Sequence, residues 1–487
     1  KVYLGLDVGT QGAKAVLYDP DTNSVLARGS ASYGIIPSDI PGRAEQHPDT
    51  WIEGSVVAIS QALQAVQGQV EVQAMGVSGQ QHGMVVLDAD KQVLRPAKLW
   101  CDVESAAEAQ ELSAAMGRTM VPSFTNTKLL WLKRHEPGVW SRVAHVLLPH
   151  DYVNWWLTGR ACTEAGDASG MGFFDVRSRS WDAGAVALVD PAVMGWLPEL
   201  VGPHEVIGTL TPQAAATLGL GMHVVVSPGS GDNAMSALGA GVVDPGQLVV
   251  SLGTSGTVFG CAPEPILDAT GAICPFCDAT GAGLPLLCTL NCTVPPQEVA
   301  TAFGMSHGQL SELASREAPG CSGLTYLPYL AGERTPNWPH ASGALVGLRP
   351  GSLRPGLVYR AALEGATFSL VAGVRLMEGH GLQPTELRLV GGGSKNALWQ
   401  RIVADAFQLP VRLPLEAESA ALGAALQAGA CHSGLPVREY VKAHAPPVSP
   451  TVLMPDPAVK QAYATAYEAF VSKGEALFGR QQPAGGQ

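Results

Sequence analysis

The sequence predicts an α/β protein built as two similar domains facing a common cleft. Two observations carry this reading. Near the start, the apolar run Val2–Val8 meets a tight Gly9-Thr10-Gln11-Gly12 turn and a second run, Ala13–Tyr18, which together read as a hairpin. The same grammar returns as Gln247–Leu252, the turn Gly253-Thr254-Ser255-Gly256 and Thr257–Phe259, with the two turns 244 residues apart in a chain of 487. Gly-Thr turns are common between strands; these two gain weight because each opens one half of the chain.

The elements between them follow in order. A helix is expected over 51–67, a strand over 71–78, helices over 103–116 and 127–135, and a helix through Tyr152–Leu157. The strand Val224–Val226 leads into Gly229-Ser230-Gly231-Asp232-Asn233 and a small-residue helix from Ala234. In the second half, helices over 353–379 and 395–407 flank the strand Leu387–Val390, and a helix Ala417–Ala428 follows the last strand. The proline-rich segment 440–457 reads as a linker to a terminal helix over 458–477, and Gln481–Gln487 as a disordered tail. The domains then divide as 1–243 and 244–487, with a hinge near 240–246.

Composition narrows the function classes. Hydrophobic residues make up 46% and charged residues 15%, so the chain buries well, while 57 glycines and 36 prolines stay short of low-complexity sequence. The net charge of −12, with no basic block, argues against nucleic acid or anionic lipid as a partner. An anionic ligand must therefore be held by backbone amides, helix N-termini or a metal ion. Nine cysteines, an odd count, fit reduced thiols in a cytosolic protein. Cys274-Pro-Phe-Cys277 with Cys288 and Cys292 lacks the spacing of a zinc ribbon, so buried thiols are expected there. Asp7 interrupts the first apolar run too early for a signal peptide, and no apolar run approaches the ~18 residues of a membrane span.

The dipeptide Gly-Lys of a P-loop occurs nowhere. If ATP binds, the paired Gly-Thr turns must hold it, with backbone N–H groups forming an anion nest and the hydroxyls of Thr10 and Thr254 adding donors. Asp7 would then hold Mg²⁺ through its water shell, since that ion dehydrates reluctantly.

Four segments together resemble the FGGY carbohydrate kinases, members of the actin/hexokinase-like ATPase superfamily: Gly5-Leu-Asp7-Val-Gly-Thr10, Ser251-Leu-Gly-Thr-Ser255, Leu327-Pro-Tyr-Leu-Ala-Gly-Glu-Arg-Thr-Pro336 and Gly391-Gly-Gly-Ser-Lys-Asn396. The resemblance runs from residue 2 to about 430. Within the family, Gly79-Gln-Gln81-His82-Gly83, Leu99-Trp100-Cys-Asp102, Lys128-Leu-Leu-Trp131, Pro149-His-Asp151-Tyr152 and Gly231-Asp232-Asn233-Ala234 look most like the bacterial-type xylulokinases. Two actin-like (ribonuclease H-like) domains are implied, together with Mg·ATP-dependent phosphorylation of a ketopentose, D-xylulose to D-xylulose 5-phosphate.

The resemblance also implies roles. Asp232 would be the catalytic base; on sequence alone it reads equally as a helix N-cap, where the helix terminus would keep it ionised. Gly229 and Gly231 would leave room for substrate beside it. Gln81, His82, Trp100, Asp102, Asp232 and Asn233 would contact the sugar, with the Trp100 indole on its apolar face. Thr10, Gln11, Gly253, Thr254 and Ser255 would hold the phosphates, Gly392, Gly393 and Asn396 the adenosine, and Asp7 the Mg²⁺. Glu333–Arg334 reads as an internal ion pair shaping the cleft. The sugar contacts fall in the first half and the adenosine contacts in the second, so closure of the domains would bring the reactants together. Two departures stand out: Gln81 replaces a methionine common in relatives, and Ser230 replaces the middle glycine of a Gly-Gly-Gly-Asp-Asn run. Gln81 keeps ribulose, gluconate or a deoxy sugar open as substrate; a non-catalytic actin-like ATPase is the reading from another class. Partners are then the sugar and Mg·ATP, with a homodimer left open.

Overall fold

Strands buried on both faces need neighbours on either side and cover above and below. Val2–Val8 (β1) is buried except at Asp7. It pairs antiparallel with Gly12–Asp19 (β2), which pairs with Ser24–Ser32 (β3). The helix Pro48–Ala65 (α1) crosses over to Val72–Gly79 (β4), which runs parallel to β1. Helices Ala106–Met116 (α2), Thr125–His135 (α3) and Pro149–Thr158 (α4) follow, then the short Ala165–Ala168 (α5). Three short strands, Gly208–Thr209 (β5), Val225–Val226 (β6) and Ser230–Gly231 (β7), complete a sheet in the order β5-β6-β4-β1-β2-β3, with β7 also pairing to β4. The helix Asp232–Gly239 (α6) leaves β7 directly.

The second half repeats the plan. Gln247–Leu252 (β8) and Gly256–Gly260 (β9) form the second hairpin, extended by Cys274–Cys277 (β10) and Gly283–Thr289 (β11). Helices Val294–Phe303 (α7), His307–Ser315 (α8) and Pro355–Gly379 (α9) precede Glu386–Val390 (β12), which lies parallel to β8 as β4 lies to β1. Ala397–Phe407 (α10) leads to Val411–Arg412 (β13), giving the sheet order β10-β11-β9-β8-β12-β13. Among the described residues, α9 alone is long and apolar enough to cross a membrane, and it is buried within this half. The computed structural model describes residues 1–66, 70–444, 446 and 448–480, so the expected tail 481–487 lies outside the described residues.

Two expectations change. The segment read as a linker begins as an ordered helix, Val437–Ala443 (α12). The prolines that suggested a break, from position 446 onward, all follow this helix, and Pro436 stands ahead of its first turn, where a missing N–H costs nothing. Val437, Tyr440 and Val441 are buried at helical spacing. The terminal helix Lys460–Phe478 (α13) follows.

The second change concerns Ser419–Ser433 (α11), five residues longer at its end than expected and packed chiefly against the first half of the chain. Ala421, Ala424, Ala425 and Ala428 share a core with Val16, Tyr18 and Ala74 of the first sheet. Glycines permit the approach: a Cβ on Gly5 would stand 1.8 Å from the Ala421 carbonyl oxygen, and one on Gly423 would stand 1.9 Å from that of Met235. The core therefore does not divide at 243/244. Gly423→Ala should destabilise by about 1–3 kcal/mol through overpacking, whereas Gly138→Ala, with nothing within 4 Å of its Cβ, should stay within about 0.5 kcal/mol. Urea denaturation of the two variants checks this, and equal stabilities would contradict the close approach.

Candidate active site

In open sheets, ligands bind beyond the carboxyl ends of parallel strands. Three such ends meet in the first half. Asp7 of β1 stands beside Ser78 of β4, and Ser230 and Gly231 of β7 stand beside Ser78 and Gly79. Asp7, the Gln80–His82 segment and Asp232 are thereby brought to one edge of the sheet. Asp232 is the first residue of α6, while the N-cap position expected for it belongs to Gly231.

Asn233 Nδ2 donates to Gln81 Oε1 at 2.8 Å and to Asp232 Oδ1 at 3.0 Å, so one amide ties the two together. Gln81 Nε2 and His82 Nδ1 are buried and without a partner. Such groups cost free energy unless a ligand satisfies them. His82 adopts φ +62°, and its ring fills the space a Cβ on Gly170 would take, 1.8 Å from Nδ1. The room expected beside Asp232 is not open space. A Cβ on Gly231 would meet the Gln81 side chain at 2.6 Å, and one on Gly229 the Val77 carbonyl oxygen at 2.2 Å.

Trp100 is 47% exposed and so is no core residue; its Nε1 donates to Thr10 Oγ1 at 3.0 Å, joining it to the first Gly-Thr turn. Thr10 Oγ1 donates in turn to Gln80 Oε1 at 2.9 Å. Gln11 is exposed on the same turn. Asp102 departs from the expectation of a sugar wall. It is fully buried and accepts from the Ala44 N–H at 2.9 Å, the Glu104 N–H at 3.2 Å and Lys98 Nζ at 3.1 Å. The triad Glu45, Asp102 and Glu104 has metal-like spacing, but the Lys98 ammonium already sits among the three carboxylates.

Glu333 and Arg334 are not an ion pair. The Glu333 carboxylate accepts from the N–H groups of Leu290 and Arg334 and from Asn291 Nδ2, while the Arg334 guanidinium contacts Cys274 Sγ at 3.8 Å. The backbone geometry gives the acidic partner better donors, and the arginine turns to Cys274.

The electrostatics are those of crowded carboxyl groups. Burial, then the charges of Asp7 and Asp167, push Asp232 up to about 8, overriding the helix N-terminus expected to keep it ionised. Asp7 is pushed up to about 6 by burial, against the Ser78 hydrogen bond at 2.7 Å and the charge of Lys14. Burial, with the charges of Lys128 and Arg334, lowers His82 to about 3, so its ring is neutral.

The second half supplies a cavity of about 710 Å³ lined by Thr254, Gly392, Gly393 and Asn396, as expected, and by Gln297, His307 and Tyr359, which sequence reading missed. Thr254 and Ser255 are exposed on their turn beside Gly253. Gly392 has open space at its Cβ position, whereas Gly393 is closed in by Leu252 and Trp399 at 2.8 Å. Asn396 caps α10 through its oxygen and donates Nδ2 to Ser311 Oγ at 2.9 Å. The sequence also gave no signal for Phe276 of β10, whose ring lies 5.1 Å from that of His82. The second half thus reaches His82, one of the residues expected to meet the sugar from the first half alone.

Two lobes, each carrying a Gly-Thr hairpin turn, with a carboxylate cluster on one and an open cavity on the other, define a two-domain kinase with the actin-like fold. Residues 2–239 match the N-terminal domain of the FGGY family of carbohydrate kinases and residues 248–431 its C-terminal domain; the chain belongs to that family. It is 37% identical over 448 residues to a xylulose kinase of Haemophilus influenzae, covering 88% of this chain and 90% of that one. It is 41% identical over 446 residues to a xylulose kinase of Streptomyces coelicolor, covering 88% of each. The crystal structure of xylulose kinase from Bifidobacterium adolescentis superposes with a TM-score of 0.82 at 30% identity, covering 96% of this chain and 99% of that one.

The raised Asp232 carboxyl has a consequence for stability. Between the ordinary value of 3.8 and about 8 the unfolded chain ionises this group and the folded chain does not, so stability is lost as pH rises and the loss is complete above about 8. Asp232→Asn removes that titration. Its melting temperature should match the parent near pH 4 and exceed it by pH 8–9, by about 1 °C for each kcal/mol of relief in a chain of this length. A difference independent of pH would contradict the raised value.

Proposed function

We propose that this chain transfers the γ-phosphoryl group of ATP to D-xylulose, giving D-xylulose 5-phosphate and ADP. The observation that carries the reading is the constellation around Asp232: a carboxyl group raised to about 8, tied through Asn233 to Gln81, beside two buried polar atoms that lack partners. Gln81 Nε2 can donate to a sugar oxygen, and the unpartnered nitrogen of the neutral His82 ring can bond a hydroxyl. The naming of relatives at 37% and 41% identity supports a ketopentose as the acceptor.

In the transfer, Asp232 accepts the proton of the terminal hydroxyl, whose oxygen bonds to the γ-phosphorus as the bond to the β–γ bridging oxygen breaks. A base whose ordinary range is moved close to the working pH suits that task. Because phosphoryl transfer has a loose transition state, positioning and charge neutralisation carry most of the catalysis. The exposed Thr10 and Thr254 turns face the phosphates, and the cavity at Gly392 and Asn396 receives the nucleoside. Magnesium fits here: the charge of Asp7 raises the Asp232 carboxyl, and neither carboxylate has a Lys or Arg nitrogen within 4.0 Å among the described residues. Asp7 would hold the ion through its water shell, and the ion would neutralise charge on the phosphate oxygens, leaving Asp232 free as the base. Asp102, held by Lys98 and backbone amides, shapes the loop that carries Trp100.

Asp232→Ala should lower kcat by about 10²–10⁴-fold with nucleotide binding retained, as measured by coupled ADP release and by calorimetry. In the same coupled assay D-xylulose should give the highest kcat/KM of a panel with D-ribulose, gluconate and a deoxy ketose. ATP turnover indifferent to every sugar would overturn the reading. Asp7→Asn should raise the magnesium concentration needed for half-maximal rate while leaving D-xylulose binding unchanged. A loss of sugar affinity with nucleotide affinity preserved would reverse that assignment.

A further inference from the structure

The backbone that delivers Asp232 breaks out of the sheet just before it. β6 ends at Val226, β7 begins at Ser230, and Gly229 between them takes φ +73°. Buried peptide groups in such a gap have no ladder partner and must find another. Gln427 of α11, fully buried and 198 residues away in sequence, supplies it. The Gly229 N–H donates to Gln427 Oε1 at 2.8 Å, and Gln427 Nε2 donates to the Gly229 carbonyl oxygen at 3.2 Å. The side-chain amide thus presents the same donor and acceptor pair that a neighbouring strand would. Two further buried side chains hold the flanking residues: Asn154 Nδ2 donates to the Pro228 carbonyl oxygen at 2.7 Å, and Ser230 Oγ donates to Glu164 Oε1 at 2.7 Å.

Gln427 sits on the same helix whose start is fixed to the first phosphate turn. Glu418, immediately before α11, pairs with Lys14 of β2 at 2.7 Å. One rigid helix therefore runs from the hairpin of the Gly9–Gly12 turn to the turn that bears Asp232.

We propose that Gln427 is a positioning residue for Asp232: it stands in for a missing strand neighbour at Gly229 and so sets where the carboxylate meets the sugar hydroxyl. The inference rests on Asp232 being the base. A mutual amide–peptide pair is rigid in two directions, which a single hydrogen bond is not. A shift of about 1 Å at a reacting group can cost on the order of 10²-fold in rate.

The test uses the full-length enzyme with Gln427→Met, which keeps the volume and removes both hydrogen bonds. Expected are a kcat lower by about 10–100-fold, KM values for both substrates within about threefold, and faster deuterium exchange at the Gly229 amide. Gln427→Glu retains the acceptor for the Gly229 N–H and loses the donor when ionised. It should recover part of kcat relative to Met, and it serves as the test variant if Met at 427 does not fold. Wild-type kcat in either folded variant overturns the proposal. So does a loss of activity that only tracks the fraction of unfolded protein in the melting curve. Asp232→Asn is run beside them. Full activity there removes the base reading and this proposal with it, whereas an inactive Asp232→Asn with an unaffected Gln427→Met removes this proposal alone.

Discussion

Everything at the site depends on α11 lying at backbone distance from the first sheet. A helix normally stands off its neighbours by the length of its side chains, roughly 8–10 Å between axes. Here the sheet and the adjoining helix present glycines: Cβ atoms on Gly5, Gly76 and Gly239 would stand 1.8, 2.3 and 1.8 Å from carbonyl oxygens of Ala421, Ala424 and Ser419. Gly423 repays the contact from α11 itself. That closeness lets an ordinary glutamine reach Gly229, and it places Glu418 on Lys14. It also buries β1 and β4 on this face, which is why these strands read as apolar runs with Asp7 as the interruption in β1.

Against this tightly packed background the site is locally unfavourable. Asp7, Asp167 and Asp232 share a small volume, and each has its carboxyl raised chiefly by burial. Gln81 and His82 bury polar atoms with nothing to bond. A sequence optimised for stability would remove all of these, so their presence marks the place where folding and function disagree. The surrounding shell absorbs the cost through fully satisfied interactions, such as Lys98 among three carboxylates and over the Trp131 ring at 4.0 Å.

What the sequence made legible follows from which interactions are local. The two Gly-Thr hairpins, the strand starting at Val2 and the helix capped near Asn396 are written in neighbouring residues, and their positions were readable. The repeated hairpin gave the two-lobed plan. The family motifs singled out Asp232, Gln81 and His82 as a group, and strand register places them at one sheet edge. Asp102 misled because its neighbours in sequence, Trp100 above all, line the cleft while its own carboxylate turns inward to Lys98. Glu333 and Arg334 misled because adjacent opposite charges suggest a pair, yet backbone N–H groups were the better partners. Gln427, Phe276 and Gly170 act across 198, 194 and 88 residues on Gly229 and His82, and no local pattern encodes such a meeting.

The same long-range contacts constrain how the lobes can move. The His82 ring is flanked by Phe124 of the first half at 5.4 Å and by Phe276 of the second at 5.1 Å. Beside them, the Cys277 N–H donates to Ser169 Oγ at 3.2 Å, and Arg179 Nη2 donates to the Gly281 carbonyl oxygen at 2.7 Å. The lobes are thus joined directly beside His82. Among the described residues, the exposed Thr254 turn and its cavity have no comparable tie to the first lobe. A buried hydrogen bond and ring packing resist separation here, so any relative movement of the lobes would turn about the β10 contact. Both lobes therefore build the surroundings of His82, through Phe124 and Phe276.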